Sequence, residues 1–355
     1  MKKACQKKRT DTKKAIRAFA KKAGRVAAGS GLVLGGLALA TGALYTEIMT
    51  SVIARRRTAG TDAIITLAMG GAPDSHDPIY DEWAEALRNT PTQTVAIRSR
   101  ENYVLRGRWY PAENAKRIVI LVHGWHSCWD LDFSGSAPFL HKEGCSLLLI
   151  DQRCHGESGG DLISYGIKEK DDVLLWLEWV ERTHPGLPVY LCGVSMGAAT
   201  VLMVAGESLS GRIRGVIADC GYSSPTPVIK GTLTHTLGKW GAPTYMAIDL
   251  NCRRRGGFSL SESSPAQALK KNTDIPCLFF HGDADPLVPW TMSLENYRAC
   301  RAPKELVVVH GAGHAMSYIV EPGLYREKLC AFFEANDPPP TPKRRRFGRR
   351  KENAS

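Results

Sequence analysis

The sequence predicts an α/β fold: a mostly parallel sheet of about eight strands, helices on both faces, and a small cap insertion. Three observations carry this. Short, almost wholly apolar runs of strand length recur through residues 93–335, as expected of parallel strands buried on both faces. Stretches of helical length alternate with them, the pattern of a doubly wound sheet. Between one apolar run and an Ala-rich segment lies Gly193-Val194-Ser195-Met196-Gly197. Strand, sharp turn and helix form the setting in which a G-x-S-x-G motif exposes its serine.

The chain has 355 residues, enough for one large α/β domain with appendages. The first 25 carry eleven Lys/Arg, and 21 uncharged residues follow, Val26 to Thr46. As a helix these span roughly 30 Å, one hydrocarbon thickness. A single-pass membrane anchor at 26–46 is the leading expectation. A cleaved signal peptide, with Ala38-Leu39-Ala40 as its site, and a buried or interfacial helix are the alternatives. Eleven basic residues before the run against Arg55-Arg56-Arg57 after it place the N-terminus in the cytoplasm and the large domain outside. The cysteines argue the other way. Nine of the ten follow the run, with neither a C-x-x-C pair nor metal-ligand spacing, and many unpaired thiols suit a reducing compartment. The thiols beside strand-like runs, such as Cys145, Cys192 and Cys277, read as small buried hydrophobes.

The net charge of +12 is confined to the ends. Residues 1–57 carry +12 and residues 336–355 carry +5, leaving −5 on residues 58–335. This removes the case for a nucleic-acid-binding core. Residues 47–92 read as a connecting region, with a helix over Asp81–Arg88. Thr94–Arg98 and Tyr103–Tyr110, separated by four residues, read as an antiparallel hairpin. The later strands are expected at Arg117–Val122, Ser146–Ile150, Val189–Cys192, Gly215–Ala218, Pro276–Phe280 and Glu305–Val309. Helices are expected at Lys168–Thr183, Ala198–Glu207, Met292–Ala299 and Gly323–Glu334.

In such a sheet, functional residues collect at the carboxyl ends of the strands, and polar, Gly-containing loops stand there. His123-Gly124-Trp125-His126 follows one strand, and its glycine permits a turn that aims the Trp125 amide at an oxyanion. The residue after the serine, Met196, would supply the second donor. DQRCHGESGG (151–160), HGDADPLVP (281–289) and GAGH (311–314) follow three others. A serine hydroxyl is a weak nucleophile and needs a base, for which His314 is the candidate in the last loop. A carboxylate must orient that base, and Asp285 and Asp283 compete for the place, with Asp219 a distant third. His123 and His281 read as loop supports, while His126 and His155 are candidates to face the site.

These residues, in the order Ser, Asp, His, resemble the α/β-hydrolase superfamily, in particular its serine-aminopeptidase-like and BEM46-like membrane-associated branch. The similarity runs from about Val95 to Phe333 and is most specific in HGWHS, DQRCHGESGG with SYGIKEKDD, GVSMGAAT, HGDADPLVP and GAGH. The resemblance implies Ser195 as nucleophile, Asp285 as acid and His314 as base, with Trp125 and Met196 at the oxyanion hole. Cys154 stands where relatives usually have glycine or another small residue.

Residues 222–263 exceed an ordinary loop and read as the cap. There Trp240, Tyr245 and Met246 either line an acyl pocket, with His126 as a further substrate contact, or pack the cap on the core. The tail, 336–355, is too polar to build a core. Its basic run suits anionic lipid, nucleic acid or plain solvation alike. The expected function is hydrolysis of an ester or related acyl bond in a small substrate, with no metal or cofactor. Peptidase and acyl thioesterase are alternatives, and a non-catalytic binding protein is the competing class.

Overall fold

The computed structural model describes residues 33–56, 78–207, 209, 211 and 213–338. Among the described residues, eight strands join one sheet in the order β1-β2-β4-β3-β5-β6-β7-β8. They are β1 Gln93–Arg98, β2 Val104–Tyr110, β3 Arg117–Val122, β4 Cys145–Ile150, β5 Val189–Val194, β6 Ile213–Asp219, β7 Cys277–Gly282 and β8 Lys304–Val309. β2 is antiparallel to β1 and β4, and every other neighbouring pair is parallel. The fully apolar strands occupy the centre, β3, β4, β5 and β7 being buried along their whole length. β8 alternates buried with more exposed residues, as an edge strand with one wet face does.

The helices are α1 Val33–Ala54, α2 Pro78–Arg88, α3 Ala137–Lys142, α4 Glu169–Thr183, α5 Met196–Val204, α6 Pro225–Leu237, α7 Gly241–Gly256, α8 Pro265–Leu269, α9 Thr291–Ala299, α10 Ser317–Val320 and α11 Pro322–Asn336. Alternation along β3 shows how the sheet is covered. Ile118, Ile120 and Val122 face a core shared with Trp176 of α4 and Val201 of α5. Val119 and Leu121 face the opposite core, with Leu140 of α3 and Leu329 and Phe333 of α11. A third apolar cluster joins the end of α1 and the cap helices α6 and α7 to Met196. The cap expected at 222–263 is thus mainly a helical hairpin, opened by the Ser224 N-cap with Pro225 at the first helical position.

The expected helix at Ala198–Glu207 starts two residues earlier, because the turn after β5 is the single residue Ser195. Of the segment expected to span a membrane, residues 26–32 lie outside the described residues. The remainder does not end at Thr46: α1 continues through Glu47 to Ala54. The charge that seemed to close the apolar run is accommodated in protein, where Glu47 pairs with Arg55 and Arg255 and accepts from Asn251 Nδ2. Residues 52–54 are buried in the apolar cluster that holds Met196 rather than forming a connection. Among the described residues, no helix is long and apolar enough to cross a membrane. Most of the basic tail, 339–355, also lies outside the described residues.

Candidate active site

Ser195 follows β5 with φ 54° and ψ −116°, a conformation that an L-residue adopts only under constraint. Its amide is fixed by the Asp219 carbonyl of the neighbouring strand at 2.8 Å. The flanking glycines are required by close approach. A Cβ on Gly197 would stand 1.9 Å from the Val122 carbonyl oxygen, and one on Gly193 would stand 2.3 Å from that of Gly197. Backbone on both sides leaves no flexible atom to yield. Gly197→Ala is therefore expected to destabilise the fold by about 3 kcal/mol or more, at the upper end of overpacking costs. An unchanged thermal midpoint would contradict this account of the turn.

Three strand ends converge on the serine. His314 Nε2, from the loop after β8, lies 2.9 Å from Ser195 Oγ. Its Nδ1 lies 2.7 Å from Asp285 Oδ2, in the loop after β7. With Nδ1 donating to the carboxylate, Nε2 is left to accept from the serine hydroxyl. Asp285 is buried, and its Oδ1 accepts from the amides of Leu287 and Val288 at 2.8 and 2.9 Å. His281 Nε2 approaches Oδ2 at 3.2 Å and the Val288 carbonyl at 2.8 Å. Burial alone would raise the carboxyl, but hydrogen bonds from His281 and His314 outweigh it and hold Asp285 well below the usual carboxylate range.

Asp283, the competing carboxylate, points elsewhere and accepts from His310 Nδ1 and the Gly311 amide on the outside of the loop. Asp219 accepts from Ser317 Oγ at 2.8 Å, which ties β6 to the helix after the histidine loop. Burial raises its carboxyl. Cys220 has an atom within 4.8 Å of ligand atoms of Asp285 and His314. Burial pushes its thiol well up, so it stays protonated beside them.

The loop after β3 is held residue by residue. The Gly124 amide donates to Asp132 Oδ2 at 2.6 Å, and Ser127 Oγ donates to Asp132 Oδ1. The His126 amide donates to His155 Nε2 at 3.0 Å. The Trp125 amide lies between these two anchored groups. The Met196 amide, first in α5, has no acceptor within its helix. His123 supports the neighbouring loop by accepting from the Gln152 amide at 3.0 Å. Positive φ recurs at this edge: His126, Cys154, Ser195, Cys220 and Ala315 each follow a strand with φ between 47° and 62°. Backbone strain is concentrated where the functional loops meet.

His155 carries a pH consequence. Its Nδ1 donates to the Arg153 carbonyl at 2.8 Å while Nε2 accepts from His126, so the folded protein needs the neutral ring. Burial pushes its pKa well below the ordinary value. The unfolded chain takes up this proton below about pH 6.5 and the native state does not, so stability falls as the pH is lowered, by up to about 1.4 kcal/mol per unit. Urea unfolding at pH 7.5 and 5.5 should show a larger loss in the parent than in His155→Gln. Equal losses would remove His155 as the cause.

The expected substrate contacts separate in space. His126 lines a shallow pocket with Arg56, Ser127, Cys154, His155 and Gly156. Trp240 and Met246 are exposed on the cap, at 59% and 69% of their surface. Tyr245 is buried in the apolar cluster containing Met196, with its hydroxyl 2.8 Å from Thr226 Oγ1. Asp132, and the α1 end beneath Trp125 and His126, were not foreseen. Asp132 sits in CWDLDFSG, which carries no recognisable pattern.

Fold and site geometry define a hydrolase of the α/β type, and residues 119–326 match the alpha/beta hydrolase family. The chain belongs to that family. It is similar to the uncharacterized protein YqkD of Bacillus subtilis (strain 168), 29% identical over 257 residues, covering 70% of this chain and 82% of that protein. It is also similar to monoglyceride lipase of Homo sapiens, 31% identical over 111 residues, covering 30% of this chain and 35% of the lipase. Among solved structures, the Pyrococcus furiosus esterase Pf2001 superposes with a TM-score of 0.59 at 23% identity, covering 72% of this chain and 95% of the esterase. That likeness shows the fold.

Proposed function

We propose that the protein is a serine hydrolase that cleaves carboxylic esters through an acyl-enzyme. The observation that carries this reading is the unbroken series Ser195 Oγ, His314 Nε2, His314 Nδ1, Asp285 Oδ2, with contacts of 2.9 and 2.7 Å. His314 takes the serine proton as Oγ attacks the acyl carbon, and Asp285 stabilises the imidazolium that forms. The amides of Trp125 and Met196 receive the developing oxyanion, aided by the N-terminus of α5. His314 returns the proton to the leaving alcohol. A water activated by the same ring then releases the acid.

The thioester and peptide alternatives differ in leaving group rather than in this machinery. Labelling with a fluorophosphonate probe, followed by turnover on esters of graded chain length, an acyl thioester and an aminoacyl amide, tests the reading. No labelling at Ser195 and no ester turnover would refute it.

A further inference from the structure

The last turn of α1 is bound to the loops that flank Ser195, through backbone carbonyls that a helix leaves without internal partners. The Ile53 carbonyl accepts from Trp125 Nε1 at 2.9 Å and from the Tyr165 hydroxyl at 2.6 Å. The Ala54 carbonyl accepts from the Ile163 amide at 2.7 Å. The Arg55 carbonyl lies 2.9 Å from His126 Nε2, placing the ring as donor. Arg56 then donates to the carbonyls of Gly156 and Ser158. Four successive residues thus grip the loops after β3 and β4 from one side.

The side chains reinforce the grip. Val52, Ile53 and Ala54 are buried in the cluster that holds Met196, Tyr165 and Ile248. The Trp125 indole stacks on the His126 ring, centroids 4.0 Å apart, while its N–H is fixed to Ile53. Both side chains of the turn Trp125-His126 are therefore anchored to α1. His126 holds φ at 55° within that turn, a conformation that persists only where surrounding contacts over-determine it.

We infer that the end of α1 belongs to the catalytic unit: Ile53 and Arg55 are positioning residues that aim the Trp125 amide at the oxyanion. This rests on the serine-hydrolase reading. A donor displaced by even a fraction of an ångström loses much of its value to the transition state, because its contribution depends on being fixed beforehand. The prediction concerns the chemical step and leaves substrate binding largely alone.

The test uses the full-length chain with p-nitrophenyl acetate as substrate and diethyl p-nitrophenyl phosphate as inactivator. Trp125→Phe keeps an aromatic ring beside His126 and removes the indole N–H together with the indole's second ring. Tyr165→Phe removes the second donor to the same carbonyl. Val52→Asp places a charge in the buried contact and drives the helix end away. Deleting an oxyanion donor costs roughly 10²–10³ in kcat, so loosening one should cost about tenfold. The expected result is a kcat about tenfold lower in Trp125→Phe and lower still in the Trp125→Phe/Tyr165→Phe pair. KM should stay near the parental value, and inactivation should slow in parallel.

Parental kcat in both phenylalanine variants and in Val52→Asp overturns the inference. So does a loss that only follows the fraction of unfolded protein. Should Val52→Asp fail to fold, the phenylalanine variants decide alone. A Ser195→Ala protein run alongside separates the two levels: retained turnover there would sink the serine-hydrolase reading itself.

Discussion

Ser195→Ala is expected to abolish fluorophosphonate labelling and to lower ester turnover by several orders of magnitude, up to about 10⁶ if Ser195 and His314 act as one unit. The size follows from what the hydroxyl does. It is the atom that His314 Nε2 contacts, and without it the ring has no proton to take and the acyl group no place to go. The substitution keeps the Cβ and the strained backbone at φ 54°, so the turn and the sheet contacts around it should stand. A thermal midpoint close to the parent's, with labelling lost, is the full expectation. Undiminished turnover by the purified variant on several esters would end the proposal, whatever the fold.

Asp285→Asn is expected to lower the rate by roughly 10⁴, as loss of the correct histidine tautomer does elsewhere. The hydrogen-bond inventory gives the reason. An asparagine can keep its carbonyl oxygen toward the amides of Leu287 and Val288, where Oδ1 now accepts. Its NH₂ then faces His281 Nε2 and His314 Nδ1, donor against donor. His314 escapes the conflict by moving its proton to Nε2, and there it can no longer accept the serine proton. Asp283→Asn should leave turnover near parental, since Asp283 serves only an exposed pair with His310 and the Gly311 amide. Steady-state kcat for both variants is the deciding measurement, and a reversed order would move the acid to Asp283.

The sheet was legible because its central strands are simple objects. RIVILV at β3 and CSLLLI at β4 are buried on both faces, so an apolar run alone marks them. The turn at Ser195 was legible because steric necessity writes glycine at 193 and 197. The helix Ala137–Lys142 was missed because it is only six residues long and follows a loop with no break in composition. The cap helices had a readable start in Ser224-Pro225 that went unused. The orientation of Trp240 and Met246 could not be read, because a helix of mixed polarity has no face that composition assigns. The end of α1 escaped for a different reason. Its ties to Trp125, His126 and Tyr165 run through main-chain carbonyls, which every residue possesses and no sequence pattern distinguishes.

One contact joins an early strand of the parallel sheet to a helix late in the chain. Arg117, the first residue of β3, forms a bidentate pair with Asp337 at the end of α11, and Tyr190 of β5 donates to the same carboxylate. The Arg117 guanidinium also lies over the Phe333 ring, 4.5 Å from its centre. A strand near the start of the parallel sheet is thus locked by α11, the last helix among the described residues. During synthesis, which delivers the amino-terminal part first, the face of β3, β4 and β5 that Leu140 of α3 begins to cover is completed only when α11 arrives. His314 reaches the ribosome exit in the same late interval. Covering of the core and the arrival of His314 are therefore close together in the order of synthesis.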